Sequence, residues 1–221
     1  MSHHEHAEIA ARPTAEILVL ASASPRRRDI LDRAGIVHEV MPAEIDEQRL
    51  SGESPVEMAL RLAREKALAI AARLGQQPAR WVLAADTIVV LDGDVLGKPD
   101  DADHARRMLT RLTGREHRVV SGVALVRTGL DHVWPLCVTS DVTMRAASDE
   151  EIRAYVATGE PLDKAGSYGI QGEGGRRFVT DVDGSETNVM GLPLDETCAL
   201  LERARNELPA LERNRARRAR P

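Results

Sequence analysis

The run Trp81-Val-Leu-Ala-Ala-Asp-Thr-Ile-Val-Val-Leu91 constrains this 221-residue chain more than any other stretch. It is apolar and rich in β-branched residues, a composition that reads as strand. The Asp92-Gly93 pair that closes it is the usual signal for a tight hairpin turn, and the chain then runs on to Lys98 and Pro99. One residue breaks the pattern. Asp86 stands among Leu83, Ala84, Ala85, Ile88 and Val89, where a carboxylate loses hydration unless a cation, a donor or a metal meets it. Taken alone, the fragment supports two readings equally: Asp86 caps backbone in a turn or bulge, or it serves a site. The positions of the other charges decide between them.

Composition narrows the classes of function. With 43% hydrophobic residues the chain can bury one good core or two small ones. Aromatics make up only 2%, so that core is built from Leu, Val, Ile and Ala, which argues against a stacking platform for nucleic-acid bases. A formal net charge of −5 argues against nucleic acid as a partner. Cys137 and Cys198 are far apart with no CxxC spacing, which offers neither a zinc site nor a disulfide framework. No stretch has the length of uninterrupted apolar sequence a membrane span needs, and the start, with His3, His4 and His6, lacks the apolar segment of a secretory signal. The expectation is a soluble cytoplasmic protein with no membrane partner.

Residues 1–15 read as a disordered leader, 16–205 as a single α/β domain and 206–221 as a basic tail. Ile17–Ala21 suits a short buried strand. Ser24 as N-cap, Pro25 at the first helical position and Gly35 as a stop frame a helix. Arg26, Arg27 and Arg28 fall in its first turn, where cations oppose the helix dipole. A solvated basic turn is common. The free N–H groups of a helix start flanked by arginines also make a phosphate site, and a strand-to-helix turn puts them where α/β ligands collect. We favour the phosphate reading. Val37–Met41 follows as a strand, and then an acidic loop whose Glu44, Asp46 and Glu47 composition alone would leave hydrated; one of them as an oxygen ligand for Mg²⁺ is the alternative.

Ser54 and Glu57 form a capping box for a long helix that Gly75 ends, with an inward stripe of Val56, Leu60, Ala63, Ala67, Ile70 and Leu74. That stripe puts Lys66 on the margin of the apolar face, its stem covering core and its ammonium reaching either water or a cleft. Asp100, Asp101 and Asp103 open a structural helix that Gly114 stops, with Met108, Leu109 and Leu112 inward. Val119–Val126 and Val133–Met144 read as an antiparallel pair, and Ser148 with Glu151 as a second capping box. Five glycines fall between Gly166 and Gly175, so backbone there turns sharply or approaches something closely. This is not a dinucleotide fingerprint, and Gly93–Lys98 is not a Walker loop, being one residue short with Pro99 where Ser or Thr is required. Phe178–Val182 is a last strand, Pro193–Leu201 a final core helix, and a frayed tail runs from Glu202.

Five pieces now stand in order: Ser22-Ala-Ser-Pro-Arg26-Arg27; Ile45-Asp-Glu47; Arg64-Glu-Lys66; Ala85-Asp86-Thr87 with Gly97-Lys98-Pro99; and Asp163-Lys-Ala-Gly-Ser-Tyr-Gly-Ile-Gln171-Gly. Each is weak alone. Together, from Ile17 to Leu201, they resemble the Maf family of nucleoside triphosphate pyrophosphatases. The resemblance implies an elongated, two-lobed mixed α/β fold of Maf/ITPase type, with a central mixed sheet, helices around it, a cleft between lobes, and homodimeric assembly. It implies cleavage of a nucleoside triphosphate between the α- and β-phosphates, to the monophosphate and pyrophosphate. The Tyr168–Gln171 form of the last motif resembles the branch acting on dTTP and UTP, with modified pyrimidine nucleotides as further substrates and sanitation of the nucleotide pool as the role. By the same resemblance Asp86 is the general base, Glu47 and Asp86 hold a divalent cation (Mg²⁺ or Mn²⁺), and Ser22, Arg26, Arg27, Lys66, Thr87, Lys98 and Gln171 bind substrate. Arg26, Thr87 and Gln171 occupy positions tied to substrate choice. The residue chemistry agrees: hydrolysis of a phosphoanhydride needs a positioned water and cations around the oxygens. The rival readings are a nucleotide-binding regulator of cell division without essential catalysis, and a kinase or phosphatase, against which the missing Walker loop counts.

Overall fold

A computed structural model of the chain describes residues 18–75 and 79–218. The expected leader, Ile17 of the first strand and the last three residues of the tail lie outside that range. In chain order the elements are β1 Leu18–Leu20, α1 Pro25–Arg33, β2 His38–Val40, α2 Pro55–Leu74, β3 Trp81–Leu91, β4 Asp94–Leu96, α3 Ala102–Leu112, β5 Glu116–Arg127, β6 Val133–Met144 and α4 Asp149–Ala157. Two 3₁₀ turns follow, Glu160–Asp163 and Ala165–Ser167, and then α5 Glu173–Arg176, β7 Val179–Asp183, α6 Glu186–Met190 and α7 Leu194–Arg218.

The strands form one mixed sheet in the order β2-β1-β3-β5-β6-β7, with β4 attached to β3. β1 runs parallel to both of its neighbours, and every other pair is antiparallel. The mixed α/β architecture read from the sequence is therefore the one observed. β3 is its spine, buried along nearly its whole length. The turn into β4 takes Asp92 and Gly93 at φ of 55° and 85°, the paired positive angles an Asp-Gly hairpin turn requires. Both capping boxes form, Ser54 with Glu57 and Ser148 with Glu151. Ser24 stands at the cap of α1, but its hydroxyl accepts no bond from the helix.

Alternation along β3 sorts its side chains between two layers. Val82, Ala84 and Ile88 face α2, packing with Ala63, Ala67 and Ile70 at one end and with Met58, Ala59 and Leu62 at the other. Leu83 and Ala85 face the opposite layer, where they meet Ile30 and Leu31 of α1 and Leu200 and Leu201 of α7. Beyond the hairpin, Val89 and Leu91 join a separate cluster with α3, α4, Tyr168 and Phe178. The two ends of β3 thus anchor two differently packed lobes.

Two sequence expectations change. The buried face of α2 comprises Met58, Ala59, Leu62, Ala63, Lys66, Ala67 and Ile70, while Val56 is 41% exposed. The helix is rotated from the expected stripe because its backbone lies directly on the sheet: a Cβ built on Gly122 of β5 would be 2.2 Å from the Ala59 carbonyl oxygen. Only glycine admits that approach. The second change is at the C-terminus. The final helix runs to Arg218 through Pro209, not to Leu201, because Leu208 and Leu211 continue its packing and Glu207 accepts the indole N–H of Trp134 at 2.7 Å.

Gly122→Ala is expected to destabilise the protein by about 2–3 kcal/mol, the cost of forcing a methyl between two packed backbones. Gly97→Ala, with open space around its Cβ position, is the control and should stay within about 0.5 kcal/mol. Urea unfolding of the three proteins reads both values, and equal midpoints would refute the backbone contact.

Candidate functional site

β3 is longer than the strands beside it on one edge. Its pairing with β1 reaches Leu20 opposite Leu83, with one more bond from Ala21 N–H to the Leu83 carbonyl at 2.8 Å, and pairing with β4 starts only at Val89. Between them the Asp86–Ile88 edge carries no strand partner among the described residues, although β5 pairs its other edge throughout. This notch opens into a cleft of about 560 Å³, within the range of small-molecule sites. The chain leaving β1, from Ala21 to Arg27, forms one wall; Gly97, Lys98, Asp163 and Ala165 form the other.

Asp86 follows Ala84 on the face toward α2, directly opposite Gly122 in register, so that no β5 side chain fills the space before it. Lys66 arrives from α2 on the buried face, not its margin as the sequence stripe put it, and is 7% exposed. Its Nζ donates to Asp86 Oδ1 at 2.6 Å and lies 2.6 Å from Glu47 Oε1. One ammonium thus binds two carboxylates from unrelated parts of the chain. Partial burial of Glu47 works against its ionisation. The hydrogen bond and charge of Lys66, with Lys98 and Arg27 farther off, win and hold its carboxyl below the usual range. Of the acidic loop only Glu47 turns inward; Asp46 accepts the Gln48 N–H at 3.0 Å and Glu44 is exposed.

Thr87 points to the opposite layer and becomes a hub. Its Oγ1 donates toward the Gly191 carbonyl at 3.1 Å or shares a proton with Ser121 Oγ at 2.7 Å, and it accepts Arg27 Nη2 at 3.2 Å. Arg27 further donates from Nε to the Gly191 carbonyl at 2.8 Å and from Nη1 to Ser22 Oγ at 3.0 Å. Three of its five N–H groups are engaged, which leaves two for a ligand. Burial draws the Arg27 guanidinium down from its usual range, opposed by Asp86 and assisted by Arg26. Arg26 crosses the mouth of the cleft to Asp163 Oδ2 at 2.9 Å. Arg28 turns away and meets Asp29 at 3.5 Å on the surface. Lys98 is exposed on the far wall and makes no hydrogen bond or ion pair among the described residues.

Ser22, Arg26, Arg27, Glu47, Lys66, Asp86, Thr87 and Lys98 therefore line a single cleft. Gln171 does not. It lines a smaller adjoining cavity with Lys164, Tyr168, Gly169 and Ile170, which shares Arg26, Ala165 and Met190 with the cleft. Sequence reasoning missed Met190 and Gly191, brought in by the short helix α6. Nothing local in the sequence marks them. Glu47 and Asp86 are two carboxylates of the kind a hard divalent cation takes, and Lys66 Nζ lies between them at 2.6 Å from each. No group of three or more His, Cys, Asp or Glu able to hold a metal occurs among the described residues.

Residues 17–204 match the family described as Maf-like protein. A protein of Anaeromyxobacter dehalogenans (strain 2CP-C) is 53% identical over 194 residues, covering 87% of this chain and 96% of its own. One of Myxococcus xanthus (strain DK1622) is 53% identical over 193 residues, covering 87% and 95%. One of Shigella sonnei (strain Ss046) is 50% identical over 184 residues, covering 83% and 91%. Each of the three bears the name dTTP/UTP pyrophosphatase.

Lys66→Met should lower the unfolding free energy by about 3 kcal/mol, because it leaves the buried Asp86 carboxylate without its cation. Adding Asp86→Asn to that variant should recover much of the loss, as expected for two groups in direct contact. Chemical denaturation of the two single variants, the double variant and wild type tests this; strictly additive effects would mean the pair is not coupled.

Proposed function

The chain belongs to the Maf family, and on that premise we propose that it is a nucleoside triphosphate pyrophosphatase acting on dTTP and UTP. Water attacks the α-phosphorus, the bond to the α,β-bridging oxygen breaks, and the products are the nucleoside monophosphate and pyrophosphate. The observation that carries this reading is the meeting of Asp86, Glu47 and Lys66 with Arg26, Arg27 and Lys98 around one cleft. The names of the relatives support the substrate.

Asp86 is the general base: a carboxylate fixed on a rigid strand, one oxygen held by Lys66 and the other available to take the proton of the attacking water. The cations bind the polyphosphate. Lys98 and Lys66 act as point charges, and Arg27 uses the N–H groups not spent on Ser22, Thr87 and Gly191. Charge on the departing pyrophosphate is met by donors already in position, which lowers the barrier. Thr87 and Ser22, with hydroxyls committed to protein partners, act by fixing Arg27. A divalent cation such as Mg²⁺ or Mn²⁺, held by Glu47 and Asp86, supplies further neutralisation of the phosphate oxygens when bound. Gln171 presents one acceptor and two donors to the edge of the pyrimidine. The same premise carries homodimeric assembly and a cytoplasmic location; no helix among the described residues is long and apolar enough to cross a membrane.

Phosphorus NMR of dTTP incubated with the protein and Mg²⁺ should show thymidine monophosphate and pyrophosphate. Orthophosphate as the first product, or no turnover with binding intact, would replace this reading with a phosphatase or a non-catalytic nucleotide binder. Asp86→Asn should reduce kcat by about a hundredfold or more with an unchanged circular dichroism spectrum. Gln171→Glu should shift the preference between dTTP and CTP by about tenfold, and an unshifted ratio would take Gln171 out of base recognition.

A further inference from the structure

Three of the five glycines between Gly166 and Gly175 acquire a common cause from what lies beneath them. A Cβ on Gly172 would be 2.5 Å from Glu160 Oε1, and one on Gly174 would be 2.7 Å from both Glu160 Oε2 and the ring of Tyr155. A Cβ on Gly175 would be 2.2 Å from the Gly169 carbonyl and 2.7 Å from the Tyr155 hydroxyl. The loop is moulded, with no intervening side chains, onto one carboxylate and one phenol. Those two groups are joined: Tyr155, fully buried on α4, donates its O–H to Glu160 Oε1 at 3.0 Å. Burial and the nearby Glu160 charge push the phenol well above its usual range, which keeps it a donor, while the Gly169 backbone donates to its oxygen. Lys164 caps the assembly, its Nζ reaching the Glu160 carbonyl and Asp163 Oδ1.

The 3₁₀ turn Glu160–Asp163 therefore holds two things at once. Through Glu160 and Tyr155 it fixes Gly169, two residues before Gln171. Through Asp163 it pairs with the Arg26 guanidinium at 2.9 Å, beside the same small cavity. The consequence follows from the chemistry of an amide. A uracil-type edge offers a carbonyl acceptor beside an N–H donor; a cytosine edge offers the reverse. A glutamine reads the first or the second according to which way its amide is turned, so it discriminates only when its backbone holds it in one orientation.

We propose that Tyr155 and Glu160 are positioning residues for substrate selection, which template the glycine-rich loop so that Gln171 presents one fixed hydrogen-bonding edge to the pyrimidine. This rests on the pyrophosphatase reading above. Neither residue touches the cleft that holds Asp86 and Lys66.

The test compares Tyr155→Phe, Glu160→Ala and Glu160→Gln with wild type, measuring kcat and KM for dTTP and CTP. Calorimetric titration with the α,β-imido analogues of both nucleotides accompanies the kinetics. Tyr155→Phe and Glu160→Ala should raise KM for dTTP at least about fivefold and reduce the dTTP-over-CTP preference, with saturating kcat within about twofold. Glu160→Gln keeps an oxygen for the Tyr155 hydroxyl and should restore most of the preference. A uniform fall in kcat on both nucleotides with an unchanged preference would reduce the pair to fold stability and overturn the proposal, as would wild-type selectivity in Tyr155→Phe. If Glu160→Ala does not fold, Tyr155→Phe decides the matter. A wild type that releases no pyrophosphate from dTTP would sink the pyrophosphatase reading alone, and the relative affinities of the analogues would still report on the loop.

Discussion

The Lys66 ammonium, enclosed between Asp86 and Glu47, is the interaction the rest of the structure is arranged to permit. An ammonium taken out of water costs several kcal/mol unless its partners are close and well oriented. Both carboxylates lie 2.6 Å away, so the lysine itself is satisfied. Around that cluster Arg27 and Lys98 add further positive charge, which helps hold the Glu47 carboxyl below the usual range. With Arg26 paired to Asp163, the cations along the cleft outnumber its carboxylates, a balance that suits a polyanion.

That arrangement depends on how near α2 can come to the sheet. Gly122 lets the Ala59 carbonyl lie against β5 at the position paired with Asp86, and Lys66, seven residues farther along the same helix, reaches Asp86 with its side chain. A side chain at Gly122 would lift the helix and separate the pair. The notch in the sheet supplies the other condition. β1 stops after three residues and β4 begins only beyond Ile88, so a stretch of the central strand has an edge open to ligand in the middle of a buried core. Because β1 runs parallel to β3, the notch lies at its carboxyl end, followed at once by the first turn of α1, where α/β ligands characteristically bind.

What could be read in the sequence was what depends on neighbours along the chain. The strand at Trp81–Leu91, its Asp-Gly turn, both capping boxes and the antiparallel pair are local patterns, and they were legible. The phase of α2 was not, because Leu60 and Leu74 look as apolar as Leu62; the decision came from a glycine on a strand some sixty residues later. The end of α7 was obscured by its arginines, since a single tryptophan on β6 and two leucines hold it down. The acidic loop shows the limit most sharply. By composition Glu44, Asp46 and Glu47 are equivalent; the Ile45-Asp-Glu47 motif singled out Glu47 only by resemblance, and the position of Lys66 supplies the physical reason that it is the one that enters the cleft. For the site as a whole, five short motifs indicated the participants; their distances and the division between cleft and side cavity required the fold.

Arg26 and Arg27 show how adjacent residues of one helical turn come to do different work. A step of about 100° around the axis turns one toward the sheet and the other along the mouth of the cleft. Arg27 is braced by Ser22, Thr87 and Gly191, three partners from three segments, so its guanidinium plane is set before any ligand arrives. Arg26 has one partner, Asp163, whose side chain is 60% exposed and which Lys164 also contacts. An exposed pair of this kind contributes little to stability and is easily exchanged for a phosphate oxygen or a base edge. The braced arginine therefore suits the part of the substrate common to every nucleoside triphosphate. The exchangeable one, standing where the cleft meets the Gln171 cavity, suits the part that differs. On the proposed function, polyphosphate binding and base selection would divide along one helix turn, with the Glu160–Asp163 segment beside the second.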